Sequence, residues 1–405
     1  MLRRQWLDAS NYSREVRLYS GQGLMIQSQV LNQLSDGSLN TIVTDYAYDN
    51  MGRLWKQSVP RAVSGTGTAL QTQNFSTVTT TLYDARGRVS TVTDPSGVTA
   101  TNTYSFEQGS GLLAGSGYFS VVSTTNGKGQ TQKSYTDLLG RTVRVNPASS
   151  EGGTTMYYTY NLANQLTTVW QVGTDGTAFA STTISYDRAG RKVGMTDPDM
   201  GTWSYSYDPL GNMIRQEDAL HNTICMYYDH LMRMKQKKLY PQDSHICPAQ
   251  SVDDTTNTVF YGYDESTVTY SVPTGTVSLA ITNPIGQRTS MSDARLSSTQ
   301  TEMVTWSYDE RGRVTRETRD LSRLGFEAFT TQFVYNRADM MTRLVYPDGE
   351  KVDTSYNRSQ LPTGLNSDMN GSLISSLRYD SQGRMEKMQQ GSGIFSIYSY
   401  YPDTQ

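Results

Sequence analysis

Polar and apolar positions alternate along much of this chain. In TWSYSYD (202–208), Trp203, Tyr205 and Tyr207 share one parity, and Ser204 and Ser206 share the other. In TVFYGYD (258–264), Val259, Tyr261 and Tyr263 line up the same way, as do Phe333 and Tyr335 in TTQFVYN (330–336). A period of two carried by aromatic and β-branched residues predicts strands with one face turned inward. No apolar period of 3.6 residues is sustained anywhere, so few helices are expected.

Between the alternating segments one turn recurs. Its full form is Tyr-Asp-x-x-Gly-Arg followed by an apolar residue, with Lys192 the exception: YDNMGRL (48–54), YDARGRV (83–89), YDRAGRK (186–192), YDERGRV (308–314) and YDSQGRM (379–385). Decayed copies include YTDLLGR (135–141), YNLANQL (160–166), YDPLGNM (207–213), YDHLMRM (228–234), YNRADMM (335–341) and YNRSQLP (356–362). Tyr186, Tyr207 and Tyr228 stand 21 residues apart, and Tyr335, Tyr356, Tyr379 and Tyr400 follow at steps of 21, 23 and 21. About halfway between them lies a second turn signal: TDPSG (93–97), TDPDMG (196–201), EDALHN (217–222), NPIGQ (283–287) and YPDGE (346–350). Asp, Pro, Asn and Gly in such clusters are turn formers. Each unit is therefore two strands and two turns, with roughly seven residues per strand, or about 23 Å. A lone hairpin is unstable in water, but stacked units supply each other with ladder partners.

The residue types follow from the turn. The Asp carboxylate accepts backbone N–H bonds two residues on, and the Gly takes positive φ. The Tyr ends the incoming strand, and the residue after Arg begins the outgoing one. The expected turn positions are Tyr48, Asp49, Gly52 and Arg53; Tyr83, Asp84, Gly87 and Arg88; Tyr186, Asp187, Gly190 and Arg191; Tyr207, Asp208 and Gly211; Tyr308, Asp309, Gly312 and Arg313; and Tyr379, Asp380, Gly383 and Arg384. The Arg is expected to lie over a Tyr ring of a neighbouring unit, a cation–π contact.

Composition agrees with β structure. The 405 residues include 28 Tyr and 34 Gly, while charged residues are only 18%. A net charge of −3, with MKQKK (234–238) the one short basic stretch, argues against nucleic acid as a partner. No apolar run approaches the ~18 residues needed to span a bilayer, and the start MLRRQWLDASNYSREV lacks the apolar core of a signal peptide. The last residues, YSYYPDTQ, stop within the pattern, so the chain reads as a segment of a longer one.

The Tyr-Asp-x-x-Gly-Arg motif with its intervening Asp-Pro turn resembles the RHS or YD repeat of bacterial polymorphic toxins, wall-associated proteins, insecticidal toxin complexes and animal teneurins. The resemblance runs from about Tyr48 to Tyr400, and RLYSGQGLMIQSQ (17–29) looks like a diverged copy with Tyr19 and Gly23 in place. It implies an all-β fold: an elongated, curved antiparallel repeat array, a spiral ribbon forming part of a hollow shell. One array over 1–405 is expected, with diverged first repeats over 1–47 and insertions at about 100–130 and 240–300. The resemblance also implies an extracellular setting, secreted or on the cell surface. The implied partners are flanking shell segments or a C-terminal effector of a longer chain, and open sheet edges invite self-association. Neither an effector domain nor the family's self-cleavage core is recognised in this chain.

No catalytic, cofactor or metal site is expected. His221, Cys225, His230, His245 and Cys247 cluster, but their spacing fits no common zinc pattern. Cys225 and Cys247 lie 22 residues apart, near one repeat length, so a disulfide between adjacent strands is a candidate. The glycine-rich runs GSGLLAGSG (109–117) and NGKGQT (126–131) match neither phosphate-loop spacing and read as loops. The recurring Asp residues are equivalent to one another, whereas a catalytic site is asymmetric. The Tyr and Trp rows admit two readings: packing of the ribbon against itself, or a carbohydrate-binding face of a surface adhesin. The first follows from the rows being part of the repeat.

Overall fold

A computed structural model describes the chain apart from residues 8–11, 34–37, 110–116, 149–152, 174–175, 250–255, 273–274, 294–301, 322–327 and 401–405. Most of the run 109–117 lies outside the described residues. The described residues hold strands and turns and no helix. They form one antiparallel sheet of 31 strands and a separate two-stranded hairpin, Thr267–Val272 with Gly275–Ala280. The fold is the all-β antiparallel repeat array expected from the alternation.

The repeat is easiest to follow from Ala178 onward. Ala178–Tyr186 pairs with Lys192–Asp197, which pairs with Gly201–Tyr207, then Met213–Glu217, Thr223–Tyr228 and Met234–Tyr240. Each strand reaching a Tyr-Asp turn ends on its Tyr, and the ladder slips there: between Ser185 and Tyr186, Ser206 and Tyr207, and Tyr227 and Tyr228. That slip is a bulge completed by a residue of positive φ. Gly190 supplies it at φ 85°. In the decayed copies Asn164, Met232, Asp339 and Gln360 hold the same position at φ 67°, 61°, 66° and 66°. The turn is thus retained after its glycine is lost, at the steric cost of a Cβ in the left-handed region.

The chain divides into two compact units. The first comprises Met1–Asn102, Asn126–Lys128 and Thr331–Gln405, and the second Thr103–Thr125 and Gly129–Thr330. In the second, buried apolar side chains form small clusters, Phe119, Val121, Tyr135 and Val143 in one and Val268, Tyr270 and Ile281 in the other. Most strand positions are half-buried. The first expected insertion holds the strands Thr99–Gly109 and Gly117–Thr125, and the second holds the separate hairpin.

In the first unit the ladder forks. Leu39–Tyr48 pairs through Tyr46 and Tyr48 with Leu54–Ser58, and through Asn40 to Val43 with Arg61–Ser64. Pro60, which has no N–H to give a ladder, stands between the two branches. The segment after Ser64 then crosses back over the sheet as a strap reaching Thr77. The same unit joins distant parts of the chain. Ser359 Oγ donates to Asn32 Oδ1 at 2.7 Å, Gln360 Nε2 to Gln5 Oε1 at 3.1 Å, and Ser381 Oγ to the Pro60 carbonyl at 2.8 Å.

Candidate functional site

The Tyr-Asp turn is the chemistry this sequence repeats most. In the copy at 186–192, Asp187 Oδ1 accepts the N–H groups of Ala189 and Arg191, both at 2.9 Å. Its Oδ2 accepts Arg191 Nε and Nη2, both at 2.7 Å. These bonds favour the ionised form and hold the Asp187 carboxyl below its ordinary value, led by the Arg191 backbone N–H. The same fork joins Arg53 to Asp49, Arg88 to Asp84, Arg141 to Asp137, Arg313 to Asp309 and Arg384 to Asp380.

The held guanidinium then faces the next unit. Arg191 lies 4.8 Å from the centroid of the Tyr207 ring, and Nη1 donates to the Asp208 carbonyl at 3.0 Å. Arg53 covers Tyr83 at 4.5 Å, Arg233 covers Tyr263 at 4.4 Å, and Arg384 covers Tyr400 at 4.5 Å. The covered Tyr returns the contact. Tyr207 Oη donates at 2.8 Å to the carbonyl of Lys192, the residue after that Arg. Tyr83 reaches Leu54 and Tyr400 reaches Met385 in the same way, and Tyr228 reaches Met213 although Asn212 replaces the Arg there. Even the diverged first copy takes part: Ser20 Oγ replaces the carboxylate, Gly23 has φ 78°, and Tyr48 donates to Met25. Asp, Arg and Tyr therefore form a clasp between successive units. Arginine's planar fork serves carboxylate and ring at once, which an ammonium cannot do. Arg191→Lys and Arg191→Ala are both expected to weaken the 186–217 hairpins, alanine by about 1 kcal/mol from the ring contact alone. Hydrogen exchange of these amides checks it, and unchanged protection in both variants would refute the clasp.

The structure places the Cys and His residues as follows. Cys225 and Cys247 are joined with Cα atoms 5.5 Å apart. They do not meet on adjacent strands: Cys225 lies in Thr223–Tyr228, but Cys247 lies in the loop after Met234–Tyr240. That loop is pinned further. Arg215 Nε donates to the His245 carbonyl at 2.8 Å, and the His245 N–H donates to Thr223 Oγ1 at 3.1 Å. Ser244 Oγ donates to Glu217 Oε1 at 2.6 Å, and the His245 ring stacks on Tyr240 at 3.7 Å.

His221 joins this group, with Nδ1 2.8 Å from Glu217 Oε1 and 3.1 Å from Ser244 Oγ. Sequence spacing does not reveal this Ser, His and Glu trio. A catalytic relay uses the two imidazole nitrogens separately, one toward the hydroxyl and one toward the carboxylate. Here Nδ1 faces both, so the trio fastens a loop. The hydroxyl of Ser244, His221 and Arg215 together hold the Glu217 carboxyl down to about 2. Among the described residues no group of His, Cys, Asp and Glu converges as a metal site, and His230 stands apart on the tip of its own turn.

Two features that alternation alone does not show complete the picture. Beneath the strap, Asp45, Gln27 and Gln29 are fully buried. Asp45 accepts Gln27 Nε2 at 2.6 Å, Arg61 Nη2 at 2.9 Å and the Asn74 N–H at 2.9 Å. Beside it, cavities of about 550 and 630 Å³ flank the Ser381–Pro60 contact.

A sequence profile of the RHS repeat matches residues 186–223, which hold two of these turns and the strands between them. No curated protein matches the chain. Among solved structures, a chain in the crystal structure of TcdB2-TccC3-Cdc42 superposes with a TM-score of 0.73 at 14% identity, covering 100% of this chain and 21% of that one. A chain in the TcdB2-TccC3 crystal structure gives 0.71 at 14%, with 100% and 21% covered. A chain of the Photorhabdus luminescens Tc holotoxin pore gives 0.70 at 15%, again with 100% and 21% covered. The present chain thus spans about a fifth of their length, and at such identity the likeness is one of fold.

Proposed function

We propose that this chain, in which residues 186–223 match the RHS repeat, works as a length of shell wall, a scaffold that encloses or presents a toxin, effector or surface domain carried by a longer protein. The observation that carries this reading is the clasp. At Arg53, Arg191, Arg233 and Arg384 the Asp of the turn holds the Arg, and the Arg covers a Tyr of the neighbouring unit, so the repeated polar groups are consumed in cohesion along the ribbon rather than gathered at one reactive point. The scaffold on this reading is not itself an enzyme. Ring faces covered by guanidinium, as at Tyr83, Tyr207 and Tyr263, are not free platforms for sugars, which weighs against an adhesin with a row of aromatic sugar sites. The disulfide suits an oxidising, extracellular setting. No helix of the described residues is long and apolar enough to cross a membrane.

The partners on this reading are flanking shell segments and the enclosed domain. Electron microscopy of the full-length gene product tests it. A hollow particle whose wall fits this ribbon, with density inside, is expected. A solid particle or an open rod would overturn the reading.

A further inference from the structure

The strap over Asp45 is held by its main chain. Side chains from the strands between Tyr12 and Ser64 meet it, and each takes a backbone group. Thr41 Oγ1 donates to the Gly65 carbonyl at 2.8 Å, Arg14 Nη2 to that of Gly67 at 3.2 Å, Gln29 Nε2 to that of Ala69 at 2.7 Å and Gln27 Nε2 to that of Gln71 at 3.0 Å. These carbonyls belong to every second residue, as an extended segment presents them. Gln27 takes Gln71 twice, since its Oε1 also accepts the Gln71 N–H at 2.9 Å. Arg61 and Asp45 close the row on the Thr72 carbonyl and the Asn74 N–H. A carboxamide that takes both the C=O and the N–H of one residue pairs with it as a neighbouring strand does, whatever its side chain.

The strap's own side chains add little to this hold. Every residue from Gly65 to Leu70 is exposed, Leu70 by 54%. A side chain at Gly67 would have room, its first carbon lying 3.8 Å from Gln71 Nε2. A segment with few buried apolar contacts opens at low cost. The strap also occupies the groove without satisfying it. Arg14 is only 6% exposed and Gln29 1%, yet Arg14 Nε and Gln29 Oε1 have no hydrogen-bond partner, nor has Arg61 Nε. Buried polar atoms left in this way weaken the closed state.

We propose that this groove is a binding site for an extended polypeptide, read through its main chain, and that the strap occupies it in cis. The row of side chains fixes the backbone and leaves the ligand's side chains in solvent. The ligand class is therefore an extended peptide of any sequence that keeps its N–H groups, which excludes polyproline. A tethered strap acts at an effective concentration on the order of millimolar, so a second chain enters when the strap is loosened. The site does not rest on the shell reading, and either can fail without the other.

Fluorescence anisotropy with a labelled peptide of residues 65–75, GTGTALQTQNF, tests the site on the full chain. Asn74→Pro removes the N–H that Asp45 accepts, and Gln71→Pro removes the one that Gln27 accepts. Each lost bond should tighten binding of the added peptide about tenfold over the parent, and the two together about a hundredfold. In the opened chain a Gly-Ser peptide of equal length should compete, and a polyproline peptide should not. Gln27→Leu in the same background should weaken binding about tenfold. Asn74→Pro alone decides the matter if the double variant unfolds, and unchanged hydrogen exchange across residues 186–217 shows that the fold is kept. The proposal is overturned if neither opened chain binds the peptide more tightly than the parent, if Gln27→Leu leaves that binding unchanged, or if Gly-Ser competes no better than polyproline.

Discussion

Replacing Asp45 by alanine is expected to destabilise the first unit by about 3 kcal/mol, the low end of the cost of breaking a buried ion pair. Asp45 is fully buried, while its partner Arg61 keeps a quarter of its side chain exposed. That exposure is why the low end applies. The carboxylate gathers three donors: Gln27 Nε2, Arg61 Nη2 and the Asn74 N–H. Alanine removes this shared acceptor from all three. The loss spreads along the strap, because Arg61 also donates to the Thr72 carbonyl and Gln27 to that of Gln71. Asp45→Asn keeps the size and the acceptor for the Asn74 amide, so it should lose distinctly less. The measurement is hydrogen exchange across residues 65–77 together with the denaturation midpoint. Unchanged protection of the strap in the alanine variant would show that the carboxylate does not hold it.

This strap marks the boundary of what the sequence reveals. The Tyr-Asp turn is legible because it is local: Asp, Gly and Arg act within five consecutive residues, and Asp187 bonds only within its own turn. The strands are legible because period two is a property of neighbouring positions. Burial is another matter. In MIQSQV (25–30) the apolar Ile26 and Val30 share one parity, yet the fully buried side chains are Gln27 and Gln29 on the other. Their amides are covered by a strap whose carbonyls, at Ala69 and Gln71, lie 40 and 44 residues away. No local pattern encodes what will cover a face. The contacts of Ser381 with Pro60 and of Gln360 with Gln5 span 321 and 355 residues and are equally silent in the sequence.

The Cys pair lies between these cases. Its separation near one repeat length suggested neighbouring strands, and proximity was right for a different reason. The loop after Tyr240 folds back over Thr223–Tyr228, which spacing could not distinguish from another strand.

Reducing the Cys225–Cys247 bond, or replacing both cysteines by serine, is expected to cost about 3 kcal/mol, as for closing a loop of this length in the unfolded chain. In a ribbon whose units contact mainly their neighbours, the loss should stay near the strands 213–240 rather than unfold the whole chain. What remains on the loop after reduction is polar. Ser244 and His221 meet Glu217, while Arg215 joins the Glu217 carboxylate to the His245 carbonyl. The Glu217 carboxyl is depressed from an ordinary 4.5 to about 2 by these donors. A carboxylate depressed by folding adds stability above its unfolded value and loses it as pH falls through the folded one. The reduced protein should therefore release the loop on acidification from about 4.5 toward 2, whereas the oxidised protein holds it by the covalent bond. Glu217→Gln should remove most of that pH dependence. Hydrogen exchange of residues 241–247 at pH 6 and pH 3, with and without reductant, gives the comparison. Equal loss of protection in both redox states would place the acid-sensitive group elsewhere.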